Sequence, residues 1–239
     1  MDTIKQIEMD SIIRPRLNDY HGILLLQDKV DYAIPFIDED IPLYVDPFLL
    51  WKSPSQMDNG IHSTILDSFN YIGYIAEKGQ ETEAVKQLIV ASECDAAGLG
   101  SSKSRKGRRI GDNIANEIIM LFEKIPQLRR SGFSHIEEIQ LLVDKIAKDR
   151  ISDIACNFMS SFLIDYTQQN CSEAGIPMEL VQKVVVYDVK KHCFKEEDVQ
   201  FYLSLPFCCT SLTKERAHSL HRNDQGRMRK YSRLLNLKQ

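Results

Sequence analysis

Three polar residues, Asp149, Asp153 and Asn157, follow one another at intervals of four in a segment that is otherwise rich in apolar residues. At 3.6 residues per turn, this spacing places their side chains on one face of a helix. Carboxylate and amide oxygens suit a hard cation such as Mg²⁺. The pattern predicts Asp149 and Asp153 as metal ligands and catalytic residues, with Mg²⁺ as the cofactor to test.

The same residues have a structural alternative. A carboxylate near a helix N-terminus interacts with unpaired N–H groups, and each such contact contributes on the order of 1 kcal/mol. In that case Asp149 or Ser152 caps the helix, and Asp153 adds a favourable interaction with its dipole. Asn157 would then hydrogen-bond a neighbouring carbonyl. Capping alone gives no reason for the polar row to continue into a buried helix, so a site remains the other alternative.

The second candidate site is GLGSSKSRKGRRIG, residues 98–111, which contains four glycines, three serines and five cationic residues. Glycines let the backbone approach a phosphate, hydroxyl groups donate hydrogen bonds to it, and cations neutralise it. The spacing is not that of a Walker A loop, which argues against a nucleoside triphosphatase. A solvated loop is the structural alternative. The predicted nucleic-acid-binding residues are Lys103, Arg105, Lys106, Arg108 and Arg109.

The third candidate is the pair Asp188 and Lys190, which follows the apolar run VVVY. It has the form of the (Asp/Glu)-x-Lys half of the PD-(D/E)xK nuclease motif, in which the acid holds a divalent metal and the lysine steadies the attacked phosphate. The pattern predicts both as catalytic residues. However, that motif expects its first acid at a strand, whereas Asp153 belongs to a helical pattern. Asp188 also lies beside a polar hairpin loop, where turn residues are common.

The elements that position these residues follow from apolar periodicity. Runs between residues 22 and 50 predict strands, and the pattern becomes helical after Trp51. Asp46 followed by Pro47 most simply starts a helix, because proline suits the first helical position. Further helices are predicted at 63–76, at 81–93, after a capping Asp112, and after a capping box of Ser134 and Glu137.

The segment that carries the polar row is predicted to be one central helix from about Arg150 to about Cys171. Apolar residues cover most of its circumference, which is typical of a buried helix. Two strands follow, VQKVVVYDV and VQFYLSL, joined by the polar sequence KKHCFKEED. The expected fold class is therefore α+β, with a helical central region flanked by small strand regions.

Charge divides the chain into an acidic body and a basic tail. The net charge is −4, yet residues 214–239 contain eight Lys or Arg and only two acids. We therefore expect a globular domain over 1–213 and a basic C-terminal tail over 214–239. The tail could bind nucleic acid, an acidic partner or the body itself, and a solvated helical tail is the plain alternative.

Composition narrows the class of protein. An apolar content of 43% in 239 residues is ample for a folded core. The longest apolar runs fall far short of the roughly 18 residues that a membrane span needs, and the acidic N-terminus lacks the features of a secretory signal. Six scattered cysteines, none in a Cys-x-x-Cys pair, fit reduced thiols. We expect a cytoplasmic protein without a membrane partner.

Three stretches carry a resemblance to other proteins: FIDEDIPLYVDPFLLWKS, ECDAAGLGSSKSRKGRRIGDNIA and DRISDIACNFMSSFLIDYTQQNC. Across residues 30–205 they resemble a group of uncharacterised bacterial proteins associated with mobile and phage-defence gene neighbourhoods. The resemblance implies a context of antiviral defence and no particular catalytic residues.

These observations lead to alternative functions. The first is a nucleic-acid-directed defence protein that is a metal-dependent nuclease or a subunit of one. The second is a non-catalytic subunit that binds nucleic acid or a partner protein of the same system. A third is an interaction protein in which every polar row is structural. The acidity of the body favours a localised contact with nucleic acid over a broad one.

Overall fold

The computed structural model describes residues 16–20, 22–24, 29–30, 32–34, 43–94, 109–178 and 180–201. Over these ranges the chain is an α+β domain, which confirms the expected fold class. Its helices are α1 Leu17–Tyr20, α2 Pro47–Lys52, α3 Gln56–Glu77, α4 Glu81–Ala91, α5 Asp112–Lys124, α6 Pro126–Ser131, a 3-10 turn Ile136–Glu138, α7 Ile139–Leu142, α8 Lys148–Phe158 and α9 Ser160–Glu173. They precede a two-stranded antiparallel sheet of β1 Leu180–Asp188 and β2 Cys193–Phe201.

Helix α2 begins where Asp46 and Pro47 predict it. The Asp46 carboxylate accepts a hydrogen bond from Phe48 N at 3.1 Å, and Pro47 occupies the first turn. The described residues between 22 and 46 contain no strand, and the rest of the predicted N-terminal strands lie outside the described ranges. None of the described helices combines the length and apolar character that crossing a membrane requires.

Two helix starts differ from the sequence-based expectation. Asp112 is the first residue of α5 and not its cap, because Gly111 occupies the capping position. The predicted box of Ser134 and Glu137 is shifted by one residue: the backbone N–H of His135 donates to Glu138 Oε1 at 3.0 Å. Glu137 is thereby left for another contact. Such shifts arise because neighbouring polar residues satisfy the same capping pattern.

The central helix predicted from about Arg150 to about Cys171 is two helices. Met159, at φ −100° and ψ 16°, separates α8 from α9. No glycine or proline marks this break, so periodicity alone predicts a continuous helix. Directly after it, Ser160 Oγ accepts a hydrogen bond from Tyr187 N at 3.2 Å. The break therefore lies where the helical region joins the sheet.

The C-terminal hairpin is tighter than predicted. Asp188 pairs with Cys193, so the connection is residues 189–192 and β2 begins six residues before the predicted Val199. β2 contains many charged residues, so its sequence resembles that of a loop, although the apolar side chain of Phe194 faces the core. The ring of Phe194 lies 5.0 Å from that of Tyr187 and 5.9 Å from that of Phe158 on α8.

Glycine sets the distance between α3 and α5. A Cβ atom added at Gly73 would overlap the ring of Phe122. That ring belongs to an aromatic cluster, since its centroid lies 6.0 Å from Phe69 and 5.2 Å from Phe133. Phe133 in turn is held by Asn70, which accepts from its backbone N–H at 2.8 Å and donates to its carbonyl at 3.0 Å. Close approach at Gly73 lets this cluster form.

Replacement of Gly73 by Ala should therefore lower the free energy of unfolding by about 1–3 kcal/mol, because extra atoms in a filled core force neighbours to move. Gly60 is the matched control, since it lies in the same helix and a Cβ atom there meets nothing within 4 Å. Gly60→Ala should stabilise by roughly 0.5–1 kcal/mol through reduced backbone freedom of the unfolded chain. Urea unfolding measures both; equal effects of the two substitutions would contradict the packing account.

Candidate nucleic-acid interface

Asn157 is a buried side chain with two specific partners. It is 4% exposed on α8, and its Nδ2 donates to Ala91 O at 2.8 Å and to Glu93 O at 2.7 Å. These carbonyls lie at the C-terminal end of α4, where helix carbonyls lack intrahelical partners. The interior position of the polar row thus has the structural explanation considered above: Asn157 pairs with neighbouring carbonyls.

Ser92 connects the two ends of the basic segment. Its hydroxyl donates to Ile89 O at 2.7 Å and accepts from Ile110 N at 2.9 Å. Arg150 on α8 extends Nη1 towards Ser92 O at 3.5 Å. Residues 92 and 110, which lie on either side of the five cationic residues between 103 and 109, are therefore held next to each other. We call the contacts of Ser92, Arg150 and Asn157 the loop base.

The loop base brings together two candidate sites that are far apart in sequence. The polar face of α8 packs against the point where the basic segment leaves and re-enters the domain. Of the five predicted nucleic-acid-binding residues, Arg109 is described and exposed. The other four, Lys103, Arg105, Lys106 and Arg108, lie outside the described residues.

Asp149 and Asp153 lie in the first turns of α8. Asp149 Oδ1 is buried and has no hydrogen-bond partner among the described residues. Asp153 Oδ2 lies 3.9 Å from Nη1 of Arg150, in a weak ion pair one turn away. Within the described ranges, no group of three or more His, Cys, Asp or Glu side chains is arranged to hold a metal ion. Mg²⁺ binding by Asp149 and Asp153 stays a prediction.

Asp188 organises the hairpin turn. Its Oδ1 accepts from the backbone N–H groups of Lys190 at 3.0 Å and Lys191 at 3.1 Å, while Lys195 Nζ lies 3.0 Å from Oδ2. The hydrogen bond from Lys195 lowers the pKa of Asp188. The Lys190 side chain is exposed. These contacts explain Asp188 as a turn residue, and the nuclease role of Asp188 and Lys190 stays a prediction.

Histidine and tyrosine rings cluster beside the hairpin turn, and the sequence patterns did not predict this cluster. The His192 ring stacks on Tyr71 with centroids 4.1 Å apart and planes 17° apart, and its Nδ1 lies 3.4 Å from the hydroxyl of Tyr187. Tyr74, one turn further along α3, lies 5.9 Å from Tyr71. The sequence contains one indication of this cluster: Tyr71 and Tyr74 are three residues apart in a predicted helix, a spacing that places their side chains next to each other.

A buried acidic cluster lies at the start of α2. Phe48 N donates to Glu137 Oε1 at 2.7 Å as well as to Asp46. Burial and, to a smaller extent, the neighbouring Asp46 carboxylate raise the pKa of Glu137 to about 7, although hydrogen bonds from backbone N–H groups oppose this rise. Glu137 thus tends to carry a proton near neutral pH. The sequence gives no sign of this, because the two acids are far apart along the chain.

Two histidines border this cluster. The rings of His62 and His135 lie 5.6 Å apart, and Trp51 packs on His135 with centroids 4.8 Å apart. Burial lowers the pKa of both histidines, and the nearby His135 lowers that of His62 further, whereas Asp67 opposes this. Both imidazoles are therefore neutral near pH 7. His62, His135 and Glu137, which lie beside the start of α2, therefore all have pKa values shifted in favour of their neutral forms.

The geometry defines a class: an α+β domain in which a central helix fixes the base of a cationic segment. The chain belongs to the DUF8370 family, a domain of unknown function whose profile matches residues 22–208. The matched region includes the basic segment and the hairpin, and ends before residue 214. No curated protein and no solved structure matches the chain. An association with phage defence stays a prediction.

Replacement of Asn157 by Ala should cost about 1–3 kcal/mol of unfolding free energy, because it leaves buried carbonyls without a donor. Asn116 is a matched control: its Nδ2 also donates to a backbone carbonyl, Asp112 O at 2.7 Å, but the residue is exposed. Asn116→Ala should change stability by less than about 0.5 kcal/mol. Chemical denaturation compares the two variants, and equal costs would show that Asn157 does not hold the loop base.

Glu137 should make stability depend on pH. Its pKa is raised from 4.5 to about 7, so its stabilising contribution is complete below pH 4.5 and is lost as the pH rises to about 7. Glu137→Gln lacks this loss, so its stability relative to the wild type should increase between pH 4.5 and 7. One pKa unit corresponds to about 1.4 kcal/mol.

Comparison of the wild type with Glu137→Gln isolates the contribution of Glu137. The lowered pKa values of His62 and His135 reduce the stability of both proteins equally as the pH falls below 6.5. Thermal or urea unfolding at several pH values measures it. Exposed Glu123→Gln on α5 provides the control and should follow the wild-type curve. A stability difference between Glu137→Gln and wild type that stays constant with pH would contradict the assignment.

Proposed function

We propose that this chain binds nucleic acid through the cationic segment that contains Lys103, Arg105, Lys106, Arg108 and Arg109, and that it does so in the bacterial cytoplasm as part of a defence system. The four described cysteines are free thiols, in keeping with a reducing compartment. The remainder of the chain is acidic, which restricts attraction for polyanions to the cationic regions.

The loop base is the observation that carries the proposal. Ser92 Oγ joins residue 92 to Ile110 N across the segment, and Asn157 holds the carbonyl of Glu93. The five cations therefore belong to a stretch whose two ends, at residues 92–93 and 110, are fixed to the core. Fixing the ends in advance reduces the conformational entropy that phosphate binding would cost.

We favour a binding subunit over a nuclease. Both carboxylate oxygens of Asp188 are engaged by the hairpin turn and by Lys195, and Asp153 is paired with Arg150. One observation favours the second candidate, a metal-dependent nuclease: Asp149 Oδ1 is buried without a partner beside Asp153. Incubation of labelled DNA and RNA with Mg²⁺ separates the two. Cleavage that Asp153→Asn abolishes, with folding retained, would establish the nuclease.

Replacement of the five loop cations by Ser should weaken nucleic-acid binding and flatten its dependence on salt. Each phosphate contact contributes a slope of about 0.9 for duplex DNA or about 0.7 for a single strand. The fold should survive, because Arg109 is exposed and the loop base is untouched. Fluorescence anisotropy at several salt concentrations measures affinity and slope.

The control for this experiment removes the same charge elsewhere. A variant with Ser at exposed Lys29, Lys86, Lys124, Arg130 and Lys183 has the same net charge as the loop variant. It should keep most of the affinity and the salt slope if binding is localised. Equal losses in both variants would show that only net charge matters and would refute the loop as the binding site.

A further inference from the structure

Three rings form a row on one surface of the domain, which we call the ring row. His192 stacks on Tyr71 at 4.1 Å, and Tyr74 lies next to Tyr71 at 5.9 Å. The positions of these rings are set by the residues on which they pack and by the helix that carries two of them. Tyr187 is fully buried and its hydroxyl lies 3.4 Å from His192 Nδ1, while Tyr71 and Tyr74 are fixed to α3. The rings of His192 and Tyr71 are therefore held against each other before any ligand binds, and Tyr74 extends the row from the same helix.

Tyr74 forms the open end of the ring row. It is 52% exposed, and Lys78 Nζ lies over one face of its ring, 5.2 Å from the centroid, so a base that stacks on this face displaces the long Lys78 side chain towards the ring edge. A half-exposed tyrosine on a rigid helix presents a flat apolar face to solvent at little cost in side-chain entropy. Burial of that face by a planar ligand would remove apolar area from water.

The charges around the ring row favour an anion. Lys78 borders Tyr74, and exposed Lys190 and Lys191 precede His192 in the hairpin turn. The neighbouring acids are paired with cations of the domain. Lys195 pairs with both Asp188 at 3.0 Å and Glu197 at 2.7 Å, and Glu77 is paired with Arg129 at 3.3 Å. The exposed acids Glu81 and Glu83 at the start of α4 limit the positive region on that side.

We propose that the ring row is a stacking platform for an unpaired base of single-stranded nucleic acid, with Lys78, Lys190 and Lys191 next to its phosphates. Planar bases stack on exposed aromatic rings, and lysines around the ring neutralise the backbone. A duplex does not offer a free base face, so the platform selects single strands. The inference rests on the proposed function and adds the class of nucleic acid to it.

The test uses the full chain and a short oligodeoxyadenylate that contains 2-aminopurine, whose fluorescence falls when it stacks on an aromatic ring. Tyr74→Ala should weaken binding roughly 5- to 100-fold, the range that loss of one stacking contact gives, and should abolish the fluorescence change. Tyr74→Phe keeps the ring and should retain both. The salt slope should stay unchanged in either variant, because no charge is altered.

Lys190→Ser with Lys191→Ser should instead flatten the salt slope and leave the 2-aminopurine signal of the bound state in place. Because Tyr74 is half exposed, its substitution is compatible with folding, and thermal unfolding verifies this. The same oligonucleotide annealed to its complement should bind more weakly than the single strand, and Tyr74→Ala should not weaken duplex binding further.

The outcomes distinguish this inference from the function on which it rests. If the wild type binds the single strand and Tyr74→Ala binds equally well, the platform is overturned and nucleic-acid binding stands. Equal effects of Tyr74→Ala on single strand and duplex would overturn the selection of single strands. If the wild type binds neither form even at low salt, the proposed function itself fails.

Discussion

The rest of the structure depends on the pairing of a few buried polar groups on α8 and α9. Ser152 Oγ accepts from Val45 N at 2.9 Å, Asn157 holds carbonyls at the end of α4, and Ser160 Oγ accepts from Tyr187 N. An unpaired polar group in the interior costs free energy, so each of these groups must meet its partner when the domain folds. Three separate segments are positioned in this way by one helical region.

This arrangement explains why the candidate sites surround α8 and α9. The segment before α2 is held by Ser152, the loop base by Asn157, and the hairpin that carries His192 by Ser160. The buried faces of both helices are otherwise mainly apolar and pack in the core, so the two helices serve as a frame. Binding groups can then lie on loops and turns, which a rigid scaffold positions.

Local patterns predicted the elements better than the contacts between them. Periodicity found α3, α4 and α5, and the Asp46-Pro47 pair found the start of α2, because these signals depend on near neighbours in sequence. Asn157 was assigned a carbonyl partner in one alternative, but nothing local says which carbonyl. The bridge from Ser92 to Ile110 and the effect of Asp46 on the pKa of Glu137 arise only from tertiary packing.

The errors have a similar origin. The polar residues of β2 disguise a strand, because an edge of a two-stranded sheet can expose charged side chains on one face while Phe194 packs on the other. The break at Met159 has no breaker residue, and it coincides with the junction to the sheet through Ser160, which the sequence pattern does not reveal. Sequence patterns describe each element alone, whereas these features arise from contacts between two elements.

The close approach at Gly73 has an evolutionary consequence. The ring of Phe122 fills the space that a side chain at position 73 would need, so neither position is free to change alone. A family member that has acquired a methyl group at the position of Gly73 needs a smaller residue at the position of Phe122, or a wider separation of α3 and α5. The two positions should therefore vary together, and their joint variation would trace how the helical core was repacked as the family diverged.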